Sequence, residues 1–265
     1  MENEDKWEIL IHSDEKIDTY IKSKTDKIEF QNWDEGTLIS LSMLDKLIDE
    51  NNMQKSKVKF YKTVEKVKKH LAMIFHRFIE EDNLQIYVNK NLLEAWNPFI
   101  RQNPATMELA CEELFDGKTI VSIEPYILPH KTKFEDEEAF KKAGGAKDWL
   151  THQGFYVYRN RRLIVYGTWF GKFKKEPAYN LARIKLDMSS ESDFEWGIDI
   201  KKSKATLPVS IEESVIQIAY LAIEKSVAVY NSRGVYNRRN TGNNTSLKIC
   251  MGAKKKIHLE TICFI

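Results

Sequence analysis

Glycine is absent from the first 35 residues, and the 265-residue chain holds only eleven glycines and six prolines. That scarcity excludes a collagen-like or low-complexity chain. Three cysteines, 111, 250 and 263, are too few and too scattered for a disulfide framework or a zinc cluster. No apolar run approaches the ~18 residues that span a bilayer. The opening MENEDKWEIL is acidic and lacks the form of a secretory signal. No GxxxxGK[ST], GxGxxG, GxSxG, HExxH, CxxC or EF-hand loop occurs. The expectation is a soluble, reduced, cytoplasmic protein without membrane contact.

What is present is an apolar fraction of 42% beside 30% charge, enough for a packed core and against wholesale disorder. The length allows one large domain or two small ones. The net charge of +2 conceals a division: residues 1–50 hold 14 acids and 6 bases, and the remainder holds 25 acids and 35 bases. Such polarity marks either an anionic partner for the basic part or two parts that attract each other.

Periodicity assigns the elements. Two β-favouring runs, 27–30 and 37–43, flank a turn at Asp34-Glu35-Gly36 and predict a hairpin, followed by a short helix in LDKLIDENN. Residues 55–81 repeat apolar side chains every three or four positions, from Val58 and Tyr61 to Phe75 and Phe78, and predict one long amphipathic helix. His70 and His76 fall on it with no paired ligand spacing and read as structural. Strands are expected at LQIYVN, 118–128, 181–188 and 195–203, with a hairpin over 154–167 turning at Asn160-Arg161. A short helix within 134–145 ends at Gly144-Gly145. A second long helix over 210–234 is capped by Ser210 and ended by Gly234. The last thirty residues, Asn/Thr/Gly-rich and then aperiodic, read as loop or disorder.

Four stretches are more specific: GTLISLSMLDKL (36–47), VKKHLAMIFHRFI (67–79), IEPYILPHKTKF (123–134), and the block from GGAKDWLTHQGFYVYRNRRLIVYG to EWGIDIKKSKATLP (144–208). Their succession resembles the GHKL superfamily of ATP-binding proteins, which contains gyrase B, 90-kDa heat-shock chaperones, histidine kinases and MutL. The resemblance covers about residues 30–235. It implies an α+β fold, with 1–50 as the end of the ATP-binding domain, 51–235 as a ribosomal-protein-like transducer domain, and 236–265 as a divergent or disordered tail. In such relatives a transducer loop brings a lysine to the γ-phosphate of ATP. Lys201, Lys202 and Lys204 stand at the matching place, with Lys202 favoured. A lysine can sense and neutralise a terminal phosphate, and a loop at a strand end can be aimed by a rigid scaffold. Without the resemblance KKSK reads as a solvated basic turn.

The departure from the family lies in its nucleotide site. The Glu and Asn of the ATP-binding helix, the DxGxG loop and the Gly-rich lid are all absent. A lid made of backbone N–H groups cannot be built without glycine. The chain is therefore expected to bind neither ATP nor Mg²⁺ alone. A missing N-terminal ATP-binding domain or a separate ATPase chain would supply both, with a homodimer when complete. It would serve a nucleotide-gated machine in DNA transactions or bacterial defence.

A different reading is a nucleic-acid-binding module. Residues 159–175 carry six bases, Arg159, Arg161, Arg162, Lys172, Lys174 and Lys175, with no acid and with interleaved aromatics. Bases hold phosphates and aromatics stack on nucleobases, although hairpin packing explains the aromatics as well. Residues 233–256 add seven bases and no acid. A non-functional fragment is the third reading.

Overall fold

The computed structural model describes residues 13, 15–16, 19, 39, 52–82, 84–198 and 205–232, and the backbone of 256–259. The chain divides into two compact units, residues 1–56 with 262–265 and residues 57–261; the second holds almost all the described fold. The expected hairpin and short helix before residue 51 lie outside the described residues.

The fold is α+β: helices with a mixed sheet. Helix α1 (Met53–Ile74) leads through a bend at Phe75 into α2 (His76–Glu81). One continuous helix was expected here. The backbone of Phe75 turns (φ −105, ψ 13), but the hydrogen bonds from Phe75 N–H to Leu71 and from Ile79 N–H to Phe75 carry the ladder across it. Strands β1 (Gln85–Val88) and β2 (Asn91–Leu92) pair antiparallel. On the other side of β1, backbone 256–259 adds parallel strand β9, inside the tail read as loop or disorder.

The main sheet is built from β3 (Met107–Glu108), β4 (Glu112–Phe115), β5 (Ile120–Ile127), β6 (Gly154–Arg159), β7 (Arg162–Thr168) and β8 (Ala182–Met188). Its order is β3-β5-β8-β6-β7, with β4 also on β5; β6 and β8 run parallel and the other pairs antiparallel. Pro125 sits within the central strand β5, where a missing N–H would break a ladder. The partner strand is irregular at that point: between β3 and β4 the register slips by one residue, and Leu109 N–H reaches the Pro125 carbonyl. The bulge absorbs the lost donor.

Helix α3 (Glu137–Ala143) starts at Asp136, whose carboxylate accepts the Ala139 N–H at 2.6 Å. The expected hairpin is present, turning at Asn160 (φ 46) and Arg161 (φ 70), the doubly left-handed geometry that suits twisted strands. Helix α4 (Val209–Asn231) packs its Ile211, Val215, Ile218, Ala219 and Ala222 on the sheet. Pro208, not Ser210, precedes its first residue; the Ser210 hydroxyl instead donates to the Asp116 carbonyl at 2.6 Å. The helix ends at Asn231, and Gly234 lies outside the described residues.

Both sheet faces are covered, which decides how the strands read. In β6, Phe155 and Val157 enter the core under α4, while Tyr156 and Tyr158 enter a second cluster with Met73, Ile74 and Phe99. The alternation along β6 is an alternation between two cores. The strand expected at 195–203 is not one where it is described: 193–197 turns, and Trp196 is fully buried.

Candidate functional site

Lys201, Lys202 and Lys204 lie outside the described residues. The base of the segment that carries them is described on both sides. Thr206 N–H donates to the Trp196 carbonyl at 2.7 Å, and Ile198 N–H to the Asp193 carbonyl at 2.9 Å. The Trp196 indole N–H donates to Asp116 Oδ2 at 3.0 Å. Burial pushes the Asp116 carboxyl up, but hydrogen bonds from Ser192, the Thr119 and Lys118 amides and Trp196 outweigh it and hold the group below the usual carboxylate range. Arg159 grips Asp193 with two bonds, at 2.5 and 2.7 Å. The residues flanking 199–204 are thus tied to the sheet and to the turn after β4. Phe194 and Val209, beside the same segment, are 91% and 89% exposed.

The six bases of 159–175 are separated by the fold. Arg159, Arg161 and Arg162 surround the hairpin tip, whereas Lys172, Lys174 and Lys175 follow the far end of β7, about 20 Å away along a seven-residue strand. Most have protein partners. Arg161 meets Glu81 and Asp82, Arg162 lies over the Phe75 ring, Lys172 pairs with Glu212, and Lys175 donates to the Thr151 carbonyl. The interleaved aromatics are packing groups: Trp169 is buried and donates to Gln153, and Tyr166 stacks on His152 with centroids 5.4 Å apart. Neighbours in sequence do not form one surface here, because the chain reverses between them.

The feature that sequence reasoning missed is Arg183. It is fully buried on β8 and has no carboxylate partner among the described residues. Its guanidinium lies between the rings of Trp96 and Trp149, 5.4 and 5.2 Å from their centroids. It donates to the Pro98 carbonyl at 2.5 Å and the Ala143 carbonyl at 3.2 Å. Burial holds its pKa below the ordinary arginine range. The Trp149 and Trp96 indoles donate to the neighbouring carbonyls of Phe140 and Lys142. Three donors thus close the C-terminal end of α3, where a cation also suits the helix dipole.

Ala143 lines a cleft of about 1460 Å³, as do Asn97 and Ile100 of the segment that holds Pro98, together with Trp96, Asn103, His130, Phe134 and Lys142 among others. Arg183 therefore ties together two segments that line the cleft. The loop wall is stiffened by Asn97 and Asn103, whose side-chain oxygens accept the Phe99 and Ala105 amides. Ile100 sits at φ 50, a conformation a β-branched residue adopts only under constraint, with its carbonyl held by Thr106 Oγ1 at 2.7 Å. Just after α3, Gly145 has φ +88, and a Cβ there would stand 2.7 Å from the His152 ring. Burial, then the Arg183 charge, depresses His152 to about 3, so the imidazole is neutral. The chain signal for Arg183 was its place in LARIKLDM: Ala182, Ile184 and Leu186 face α4, which puts Arg183, Lys185 and Asp187 on the other face of the sheet.

The chain matches no family model, no curated protein and no solved structure. No helix among the described residues is long and apolar enough to cross a membrane. Among the same residues, no three His, Cys, Asp or Glu side chains converge as metal ligands.

Proposed function

We propose that the chain is the transducer portion of a GHKL-type ATPase, coupling ATP binding on another domain or chain to a change of conformation. The observation that carries this reading is the pinned base of the KKSK segment. Trp196 and Thr206 close it, and Asp116, Ser210 and Asp193 tie it to the sheet and to α4. A lysine on such a segment can respond to a phosphate while its roots stay fixed, so a local contact is transmitted to the sheet rather than lost in the loop. Lys202, with Lys204 and Lys201 beside it, is assigned the phosphate-sensing role. ATP and Mg²⁺ are held by the partner.

The test is reconstitution with a GHKL ATP-binding chain encoded in the adjacent DNA, followed by ATP hydrolysis. The expected result is stimulation by the wild-type chain that Lys202→Ala abolishes. Stimulation that survives replacement of all three lysines refutes their assignment. Absence of any stimulation or complex by the wild type refutes the transducer reading.

A further inference from the structure

We infer that the cleft lined by Trp96 and Ala143 holds a binding site for an alkylammonium group, received by Glu80, an assignment independent of the GHKL reading. His76 and Glu80 stand one turn apart on α2, and so on one face of it. Glu80 also lines the cleft of about 1460 Å³. The Asn97 side-chain amide donates to Glu80 Oε2 at 2.9 Å. His76, 2% exposed, turns Nδ1 toward the same oxygen at 3.6 Å, too far for a hydrogen bond. That buried nitrogen has no hydrogen-bond partner. Across the ring, Nε2 meets the fully buried Tyr158 hydroxyl at 2.7 Å. Burial raises the Tyr158 pKa, so its hydroxyl stays protonated and can donate to Nε2. The His76 proton then sits on Nδ1, facing the carboxylate.

Glu80 is thus backed by Asn97 and His76 at Oε2, while Oε1 has no partner among the described residues. Burial pushes its carboxyl up, but His76, Asn97 and the Arg101 charge outweigh it and hold the group below the usual carboxylate range. Its side chain is 28% exposed, so an ionised oxygen stays open on the cleft wall. A guanidinium binds a carboxylate best through both oxygens, whereas a compact ammonium needs only one. Two nearby cations already have acids of their own: Arg101 pairs with Glu108 at 2.9 Å and Lys142 with Glu94 at 3.5 Å. Lys133 belongs to the Asn103 end of the loop, where its carbonyl accepts the Asn103 amide at 3.1 Å. Trp96, Phe134 and Met107 supply apolar lining for an alkyl stem. The volume exceeds the ~300–1,000 Å³ of a small-molecule site, which leaves room for the backbone around a lysine as well as for a free polyamine.

The test titrates the full chain by calorimetry with a pentapeptide amide of alanines around one central lysine, its norleucine and arginine analogues, and spermidine. The lysine peptide is expected to bind at least tenfold more tightly than the uncharged norleucine peptide, and no more weakly than the arginine peptide. Glu80→Gln keeps the shape and removes the charge. It is expected to weaken the lysine peptide at least tenfold, leaving the norleucine peptide and the circular dichroism spectrum unchanged. Should that variant misfold, Glu80→Asp, which keeps the charge and shortens the reach, is expected to weaken the lysine peptide alone. Spermidine that binds more tightly than the lysine peptide, and is lost in Glu80→Gln, supports the site with a free polyamine as its source. The reverse preference supports it with a polypeptide lysine. No binding of either amine, equal binding of the norleucine peptide, or wild-type affinity in the folded variants overturns the assignment. An arginine peptide bound tenfold more tightly overturns it too.

Discussion

Arg183 and the lysines of α1 carry the same formal charge in opposite surroundings. The arginine has no exposed surface, two tryptophan faces and two carbonyl acceptors. Lys62, Lys66 and Lys69 are exposed along a helix with a single acid. A planar, weakly hydrated guanidinium tolerates burial between rings, where an ammonium would have to shed a stronger hydration shell. The difference teaches that a cation's role here follows from what surrounds it. Arg183 ties two segments that line a cleft, and its loss is expected to lower stability. Exposed lysines such as Lys62, Lys66 and Lys69 are expected to contribute little to folding.

The sharpest way to break that comparison is Arg183→Ala. It leaves two buried carbonyls without donors and a void between two indoles, and is expected to cost about 3–5 kcal/mol in urea unfolding. A loss below ~1 kcal/mol would show that the cleft walls hold without the tie. Gly145→Ala combines positive-φ strain with a Cβ pressed on His152. An expected loss of about 2–3 kcal/mol would appear as a lowered melting temperature.

Acidification probes the same cluster. The folded pKa of His152 is about 3 against an ordinary 6.5, so the unfolded chain binds the extra proton between those values. The contribution of neutral His152 is complete above pH 6.5 and declines as pH falls toward 3, at up to about 1.4 kcal/mol per pH unit. His70 and His130 shift in the same direction. The difference between wild type and His152→Gln from pH 6.5 to 4.5 isolates His152; identical slopes would refute its buried neutral state.

Arg159→Ala is expected to lose about 1 kcal/mol, because its bidentate partner Asp193 is partly exposed. At the small end, Lys66→Gln should shift stability by less than ~0.5 kcal/mol, because the side chain is exposed. A large stability loss there would assign the lysine to the fold instead.

Much of the fold was legible in local pattern. The tight turn at Asn160-Arg161, the stop at Gly144-Gly145 and the two long helices all express short-range rules of period, capping and turn chemistry. Reading failed where a partner distant in sequence decided the outcome. Ser210 looked like a cap until Asp116 claimed its hydroxyl. The 195–203 run looked like a strand, but Trp196 turns inward to the same aspartate. The six bases of 159–175 looked like one patch until the hairpin sent them to opposite ends and Glu81, Asp82, Asp193 and Glu212 met three of them.

The scarcity of glycine and the lack of any phosphate-binding loop are matters of composition, and they set the expectation of a chain without its own nucleotide lid. Periodicity likewise places α1, the β6–β7 hairpin and α4, because backbone hydrogen bonding and side-chain alternation act over a few residues. Which sheet face is wet, which cations are buried and which walls form a cleft depend on covering groups 40 to 110 residues away, as in the ties from Arg183 to Ala143 and Pro98 and from Arg77 to Asp187. Burial is a property of the packed chain. It turns one arginine into a structural strut and leaves Lys62, Lys66 and Lys69 exposed.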